Sequence, residues 1–252
     1  MIKLKNIVKR FPVYDSGASG MTHNKQIRGG FFYALDDVSL TIEDGGCTII
    51  AGANGCGKSL LMLIIAGLEE ATSGTIERSE RIGLVFQEPD AQILGETPRE
   101  DIAFGPRNMK LPKMETRARV DSALAQTGLE QRADFPARSL SGGEKRRLAA
   151  AGILAMDPQA VIFDEPYANM DFPGVKQINS LFNRLISGKK TLIILTHELE
   201  KCMALCSHFI ILSGGRIVFN GSPQEALKQD LESWGIHHPL GKTSSLLEDL
   251  VW

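Results

Sequence analysis

Apolar residues fall into short runs along this chain, and helical patterns separate several of the runs. Apolar and polar residues alternate over 2–8 and 38–42, as on half-buried strands. Compact apolar runs, which are typical of central strands in a buried sheet, then follow at 47–51, 82–86, 160–163, 191–195 and 209–212. This succession predicts an α/β fold in which a mostly parallel sheet carries helices on its faces.

One long stretch, residues 88–140, contains no convincing strand pattern. Thr97, Pro98 and Glu100 have the form of a capping box with proline in the first helical position. A second helical pattern over 115–127 ends at Gly128, a typical C-terminal glycine. We therefore predict a helical subdomain at approximately 88–157, inserted into a single domain of residues 1–252.

Turn residues mark the remaining connections. The polar, glycine-rich stretch 15–30 predicts a surface loop, and Gly214-Gly215 between apolar runs predicts a hairpin turn. Ser222, followed by Pro223 and by Glu225, predicts a helix start, so residues 222–252 should form a C-terminal helix and tail.

Composition excludes several classes of function. The 28 Lys+Arg and 30 Asp+Glu residues give a net charge of −2, which leaves no basic surface for gripping nucleic acid. The longest apolar runs, 60–66 and 148–156, are far shorter than the roughly 20 residues of a membrane-spanning helix. No secretory signal is recognisable, and the 4 cysteines are too scattered for a disulfide framework, so we expect a cytosolic protein.

Segment 52–59 reads Gly-Ala-Asn-Gly-Cys-Gly-Lys-Ser and fits the phosphate-loop pattern G-x-x-x-x-G-K-[ST]. It lies between a predicted strand and the apolar helix pattern of 60–68, which is the context that the motif requires. Its glycines let backbone amides turn toward an anion, and the helix start adds the positive end of its dipole. The pattern predicts that Lys58 reaches the β- and γ-phosphates of a nucleotide and that Ser59 binds Mg²⁺.

Two acidic residues, Asp164 and Glu165, follow the apolar run 160–163. A carboxylate at a strand end beside a phosphate loop can hold Mg²⁺ and its waters, and the next carboxylate can deprotonate an attacking water. We therefore expect Asp164 to bind the metal and Glu165 to act as general base.

A second helix start has the sequence Leu140-Ser141-Gly142-Gly143-Glu144. Ser141 and Glu144 form a capping box, and the two glycines expose backbone amides beside the capping hydroxyl. The segment is therefore predicted to be a second anion-binding surface.

The chain resembles the ATP-binding subunits of ATP-binding-cassette (ABC) transporters from residue 1 to about residue 227. Six motifs carry the resemblance, in the family's order: Walker A (52–59), the Q-loop glutamine (Gln87), the signature (140–144), Walker B (161–165), the D-loop (168–171) and the switch histidine (His197). The resemblance implies a P-loop NTPase core with an N-terminal antiparallel β portion and an inserted helical subdomain. Three features depart from the family pattern: Glu144 replaces the usual glutamine, Tyr167 replaces a common threonine, and the D-loop reads Ala-Asn-Met-Asp.

The resemblance also implies a head-to-tail dimer in which each ATP lies between two subunits, with Mg²⁺ as cofactor. In such a site Glu165 takes the proton of the water, His197 contacts the γ-phosphate, and Gln87 touches Mg²⁺ or water. The implied catalytic residues are Lys58, Gln87, Glu165 and His197, and the implied metal ligands are Ser59, Gln87 and Asp164. The implied nucleotide contacts are Phe11, Gly52, Asn54, Gly55, Cys56, Gly57, Lys58, Ser59 and Leu60 of one subunit, and Ser141, Gly142 and Gly143 of the other. The adenine-stacking aromatic stays open: Phe11 matches best, and Phe32 and Tyr33 are alternatives.

Three further segments, 85–92, 100–106 and 145–156, are similar to the energy-coupling-factor branch of importers. This similarity implies an ATPase that powers the uptake of a vitamin or of cobalt or nickel ions from the cytoplasmic face of the membrane. Its partners would be a second ATPase subunit, identical or paralogous, a transmembrane coupling protein and a membrane-embedded substrate binder.

Two alternatives stay open: the ATPase of another ABC transporter class, and a soluble ABC ATPase that works on DNA or ribosomes. The soluble class is disfavoured because the chain has neither a sustained coiled-coil pattern nor a second cassette. A GTPase would need an Asn-Lys-x-Asp segment, which does not occur.

Overall fold

The computed structural model describes residues 1–13, 26–78 and 81–241 of the chain. Within these ranges the strands are β1 (Ile2–Pro12), β2 (Ile27–Arg28), β3 (Phe31–Ile42), β4 (Cys47–Ala51), β5 (Ser73–Glu77), β6 (Ile82–Val85), β7 (Ala160–Asp164), β8 (Thr191–Leu195), β9 (His208–Ser213) and β10 (Arg216–Gly221). The α-helices are α1 (Lys58–Ala66), α2 (Pro98–Asn108), α3 (Lys113–Thr127), α4 (Gly142–Leu154), α5 (Phe172–Ser187) and α6 (Pro223–Ala226).

The strands form two sheets. The first is antiparallel, with the order β2-β3-β1-β5. The second has the order β10-β9-β4-β8-β7-β6 and is parallel except for its edge strand β10, which pairs antiparallel with β9. The predicted α/β architecture is therefore confirmed.

The parallel sheet separates two apolar cores, which explains why its central strands are continuous apolar runs. Successive side chains of a strand point to opposite faces. Ile49 of β4 thus packs into the core that α4 and α5 cover, and Ile50 packs into the core of α1 and the antiparallel sheet. Every residue of β4, β7 and β8 is buried.

Helices α2, α3 and α4 pack around a third apolar core, which lies in the predicted helical segment. Thr97 caps α2 by accepting from the Glu100 amide at 3.3 Å, and Gly128 ends α3 in the left-handed conformation. The predicted helix start at Thr97 and the predicted helix end at Gly128 are therefore confirmed, and of the predicted capping box the structure shows the Thr97 half.

Two strands were missing from the sequence prediction. Ile27–Arg28 lies in the predicted 15–30 loop but pairs with β3, so this part of the loop prediction is wrong; residues 14–25 lie outside the described ranges. Ser73–Glu77 pairs with β1. Both strands are short edge strands held by one neighbour, so their own patterns are weak.

The predicted hairpin at Gly214-Gly215 supports the phosphate loop. The Gly215 amide donates to the Cys56 carbonyl at 3.1 Å, and its carbonyl accepts from the Asp36 amide at 2.9 Å. A Cβ on Gly215 would lie 2.7 Å from the Ala34 carbonyl oxygen, and its φ is +76°, so only glycine fits. One turn therefore ties the loop after β4 to the antiparallel sheet.

Candidate active site

The site lies at one edge of the parallel sheet, where the carboxyl ends of three neighbouring strands meet. Segment 52–59 follows β4, Asp164 ends β7, and Thr196-His197 follows β8. This edge is where open α/β sheets bind their ligands. The topology thus brings together three motifs that are far apart in sequence.

Close packing fixes the shape of the phosphate loop. A Cβ on Gly52 would lie 2.2 Å from the Leu212 carbonyl oxygen and 2.6 Å from Cys56 Sγ. A Cβ on Gly57 would lie 2.8 Å from the Ala34 carbonyl oxygen, and its φ is +107°. Side chains are therefore excluded at both positions, and Cys56 is buried as a packed group.

Lys58 is the buried cation at the centre of this loop. Its Nζ donates to the carbonyl oxygens of Gly52 at 2.7 Å and of Ala53 at 3.2 Å. The side chain is only 7% exposed, so the loop wraps around the ammonium. Asn54 and Gly55 are exposed at the mouth of the loop, and Leu60 packs partly against the core beneath it.

Ser59 faces Asp164 across the site. Ser59 Oγ donates to Asp164 Oδ2 at 3.4 Å. Burial and the neighbouring charge of Glu165 raise the pKa of the Asp164 carboxyl. A cation between these oxygens would relieve both effects, and hydroxyl and carboxylate oxygens are the ligands that Mg²⁺ prefers. The donor set therefore fits this metal.

Glu165 and His197 form a second pair. His197 Nδ1 lies 2.9 Å from Glu165 Oε1, a distance at which Nδ1–H donates to the carboxylate. Glu165 has a φ of +43°, and its amide donates to the Leu195 carbonyl at 2.8 Å. Its other oxygen, Oε2, is buried without a protein partner. The Oε1 atom of the Glu165 carboxylate is therefore held by His197, and its Oε2 atom can accept a hydrogen bond or a proton.

The second anion-binding segment opens α4. The Glu144 amide donates to Ser141 Oγ at 3.2 Å, and the Ser141 amide donates to Glu144 Oε2 at 2.8 Å, so the predicted capping box is present. Arg132 Nε donates to Glu144 Oε1 at 3.0 Å. In the part of the chain that the structure describes, no hydrogen bond joins this segment to the phosphate loop. Ser141 and Gly142 are exposed to solvent instead.

Comparison with known proteins identifies the family to which this chain belongs. The family model described as ABC transporter matches residues 35–168. The chain belongs to the ABC transporter ATP-binding proteins. The predicted family and its activity, ATP hydrolysis coupled to transport, are therefore confirmed.

Relatives and solved structures agree with this result. The energy-coupling factor transporter ATP-binding protein EcfA of Carboxydothermus hydrogenoformans is 38% identical over 229 residues, which cover 83% of this chain and 85% of that protein. The structure of cbiO1 from Clostridium perfringens, part of the ABC transporter complex cbiONQ, has a TM-score of 0.76 at 33% identity and 90% coverage of both chains. The dimeric post-hydrolysis structure of the cassette MJ0796, bound to ADP and Pi, has a TM-score of 0.73 at 26% identity, covering 88% of this chain and 99% of that one.

Three aromatic side chains were candidates for contact with the adenine of ATP. Phe11 is 43% exposed, and Lys9 Nζ lies 5.3 Å from the centre of its ring. Phe32 pairs with Phe11 across β1 and β3 and is half-buried. The Tyr33 ring is covered by Arg28 at 4.3 Å. The best-exposed ring of the three is therefore that of Phe11.

Arg146 of α4 is the site residue that the sequence interpretation missed. Its guanidinium donates to the Gln87 carbonyl at 3.0 Å and to the Ala168 carbonyl at 2.5 Å. The Gln87 side chain is exposed. The only sequence signal was the run Lys145-Arg146-Arg147 at the start of an apolar helix, where charged residues are unexpected on a buried face.

We predict that Glu144→Gln lowers the melting temperature by about 1–4 °C near pH 7, the effect of about 0.3–1 kcal/mol at a helix start. The Ser141 amide lowers the pKa of the Glu144 carboxyl. The stabilising charge is therefore present above the unfolded-state pKa of about 4.3 and is lost as the pH falls through the lower folded-state pKa. Thermal melts from pH 7 down to pH 3 should show the difference from wild type shrinking below about pH 4. The exposed Glu43 provides the control Glu43→Gln, and a pH-independent difference would contradict the role of this charge.

Proposed function

We propose that this chain is the ATP-hydrolysing subunit of an energy-coupling-factor importer and powers the uptake of a micronutrient, a vitamin or a transition-metal ion. The single observation that carries the proposal is that Lys58, Asp164 and the Glu165–His197 pair lie together at one edge of the parallel sheet. The EcfA and cbiO1 relatives named above, which match over most of their length, support the energy-coupling-factor type.

ATP binding would begin at the phosphate loop. The Nζ of Lys58 already points into the loop, where two backbone carbonyls satisfy it. Phosphate oxygens would replace these neutral acceptors by charged ones, which roughly doubles the strength of such hydrogen bonds. The backbone amides of 52–59 and the start of α1 add further donors. Phe11 is our choice for the adenine contact because its ring is the most exposed of the three candidates.

Ser59 and Asp164 would hold Mg²⁺, with Gln87 as a further ligand, directly or through water. When bound, the metal offsets charge on the β- and γ-phosphates. The side chains supply the required oxygen donors, and burial together with the negative charge of Glu165 raises the pKa of the Asp164 carboxyl.

Glu165 would act as the general base. The attacking water forms a bond to the γ-phosphorus, its proton passes to Glu165 Oε2, and the bond to the ADP oxygen breaks. Oε2 suits this role because it is buried and without a protein partner, while Oε1 is occupied by His197. The exposed side of the His197 ring would contact the γ-phosphate.

The second half of the ATP site would come from another ATPase subunit. Ser141, Gly142 and Gly143 lie at a separate helix start, away from the phosphate loop of their own chain. Exposed amides at a helix start attract anions. The MJ0796 cassette is dimeric, which supports a dimer here, and in that dimer this segment would cover the ATP of the neighbouring subunit. The partner is a second copy or a paralogue.

The membrane partner would dock in a groove beside the helical segment. Leu94, Phe104, Gly105, Asn108 and Met109 line part of this groove. Leu94 is 68% and Phe104 49% exposed, and exposed apolar side chains that share one groove are a feature of interaction sites. In contrast, Ile102 is fully buried in the helical core and belongs to packing.

No helix in the described residues is long and apolar enough to cross a bilayer. The cbiO1 structure is part of an ABC transporter complex, and on that ground we propose that this chain lies peripherally at the cytoplasmic face of the membrane. A transmembrane coupling protein would occupy the groove, and a membrane-embedded subunit would bind the transported substrate.

Two substitutions test the ATPase assignment. Glu165→Gln should retain ATP binding, reduce hydrolysis to below about 1% of wild type, and accumulate an ATP-bound dimer, because it removes only the base. Lys58→Ala should weaken ATP binding itself, because it removes the cation that faces the phosphates. Nucleotide binding, phosphate release and mass photometry measure these effects. Substantial hydrolysis by Glu165→Gln would exclude Glu165 as the base.

The groove yields a separate prediction. Phe104→Glu should reduce transport and co-purification with membrane subunits at least tenfold, because it places a charge in an apolar contact. Basal ATP hydrolysis by the purified ATPase should stay near the wild-type rate. Met114→Glu is the control, since Met114 is 87% exposed on α3 and does not line the groove. Equal loss of transport in both variants, or of hydrolysis in Phe104→Glu, would contradict the docking site.

A further inference from the structure

Arg146 is a buried arginine that joins two separate loops. Its Nη1 donates to the carbonyl of Ala168, three residues after Glu165, at 2.5 Å. Its Nη2 donates to the carbonyl of Gln87, two residues after the end of β6, at 3.0 Å. The guanidinium thus holds the backbone after β6 at a fixed position relative to the backbone after β7.

A third segment lies close enough to act on the same group. Burial lowers the pKa of the Arg146 guanidinium, and the negative charge of Glu198 raises it. Glu198 directly follows His197, and its amide donates to Thr196 Oγ1 at 3.0 Å. One side chain of α4 is therefore hydrogen-bonded to the segments after β6 and β7, and the charge of Glu198 in the segment after β8 acts on it. Each of the three segments carries a residue of the proposed reaction.

Stability alone does not account for this arrangement. A buried charge carries a desolvation cost, and apolar replacements of similar size are often neutral or stabilising. The described residues contain three buried side-chain polar atoms without a hydrogen-bond partner, namely Arg146 Nε, Glu198 Oε2 and Glu165 Oε2. Native folds leave few such atoms, and here one belongs to Arg146 itself and the other two belong to the segments after β7 and β8.

We propose that Arg146 is a positioning residue for ATP hydrolysis, which holds the Gln87 loop and the segment after Glu165 in register through their backbone carbonyls. This inference rests on the proposed ATPase function. Arg146 does not touch the nucleotide. It acts through Gln87, which we place at the metal or its water, and through the chain segment that carries the general base.

The hydrogen bond from Arg146 to the Gln87 carbonyl also connects the docking groove with the proposed active site. The segment that begins at Gln87 is also held to α4 by an ion pair of 2.7 Å between Asp90 and Lys145. Gln92 and Leu94, a few residues further on, line the groove. A displacement of this segment by a partner in the groove would therefore move the Gln87 carbonyl, and the guanidinium would pass that movement to Ala168.

The neighbouring Arg147 offers a matched control. It lies on the same turn of α4, and burial lowers its pKa as well. Its Nε donates to the Thr127 carbonyl at 3.0 Å, and its Nη1 donates to Gln177 Oε1. These contacts join α4 to α3 and α5 and reach none of the three segments. Arg147→Met thus removes a similar buried guanidinium without touching the loops.

The test compares full-length Arg146→Met, Arg146→Lys and Arg147→Met by steady-state ATP hydrolysis, thermal melts and amide hydrogen exchange. In Arg146→Met, kcat should fall about tenfold to a hundredfold, as expected for a small misplacement of catalytic groups. KM for ATP should stay within about threefold, because the phosphate loop is unchanged. Arg146→Lys, which keeps the charge but not the fork that reaches both carbonyls, should recover part of kcat. Arg147→Met should lower the melting temperature and leave kcat within about twofold of wild type.

Hydrogen exchange separates this inference from the proposed function. Amides of 87–92 and 165–171 should exchange faster in Arg146→Met than in wild type, and at wild-type rates in Arg147→Met. If the wild-type protein did not hydrolyse ATP, the proposed function would be wrong, and the exchange result would still decide whether Arg146 holds the loops. Unchanged exchange in Arg146→Met, or equal losses of kcat in Arg146→Met and Arg147→Met, would overturn the inference.

Discussion

The wrapping of the phosphate loop around the Lys58 ammonium is the constraint on which the site depends. Two backbone carbonyls accept from the buried Nζ, and a side chain at Gly52 would collide with the Leu212 carbonyl. The loop can take this path because β4 lies inside the parallel sheet and because the hairpin turn at Gly215 supports it through the Cys56 carbonyl. The cation is therefore positioned before any phosphate arrives, and binding exchanges its two carbonyl acceptors for phosphate oxygens.

Two carboxylates of the site carry negative charge, which complements the positive charge of Lys58. Asp164 and Glu165 are adjacent buried acids, and their mutual repulsion helps to raise the pKa of Asp164. Such a pair favours a divalent cation and leaves one carboxylate oxygen for a proton. Two of the three unpartnered buried atoms, those of Glu165 and Glu198, lie in the segments that carry these acids and the switch histidine, and the third belongs to Arg146, which is hydrogen-bonded to the chain after Glu165. Catalytic sites are among the places where unsatisfied polar groups persist in otherwise well-packed folds.

Local sequence patterns predicted much of this protein, and long-range contacts account for what they missed. The phosphate loop, the Ser141 capping box and the central strands are each encoded within a few neighbouring residues. The inward turn of Glu144 toward Ser141 follows from the capping box in the same way. The edge strands β2 and β5 depend on partners that are distant in sequence, and so does Arg146, which meets Gln87 across 59 positions. Tertiary contacts of this kind leave no periodic signal in the chain.

The central claim is that the loop around Lys58 recognises the terminal phosphates of a nucleotide. Competition binding with a fluorescent ATP analogue tests it most directly, with ATP, ADP, AMP and adenosine as competitors. ATP and ADP should displace the probe. AMP should compete at least ~100-fold more weakly, because it lacks acceptors for about two charge-assisted hydrogen bonds of 1.5–3 kcal/mol each. Displacement by AMP at the same concentrations as ATP would contradict the account.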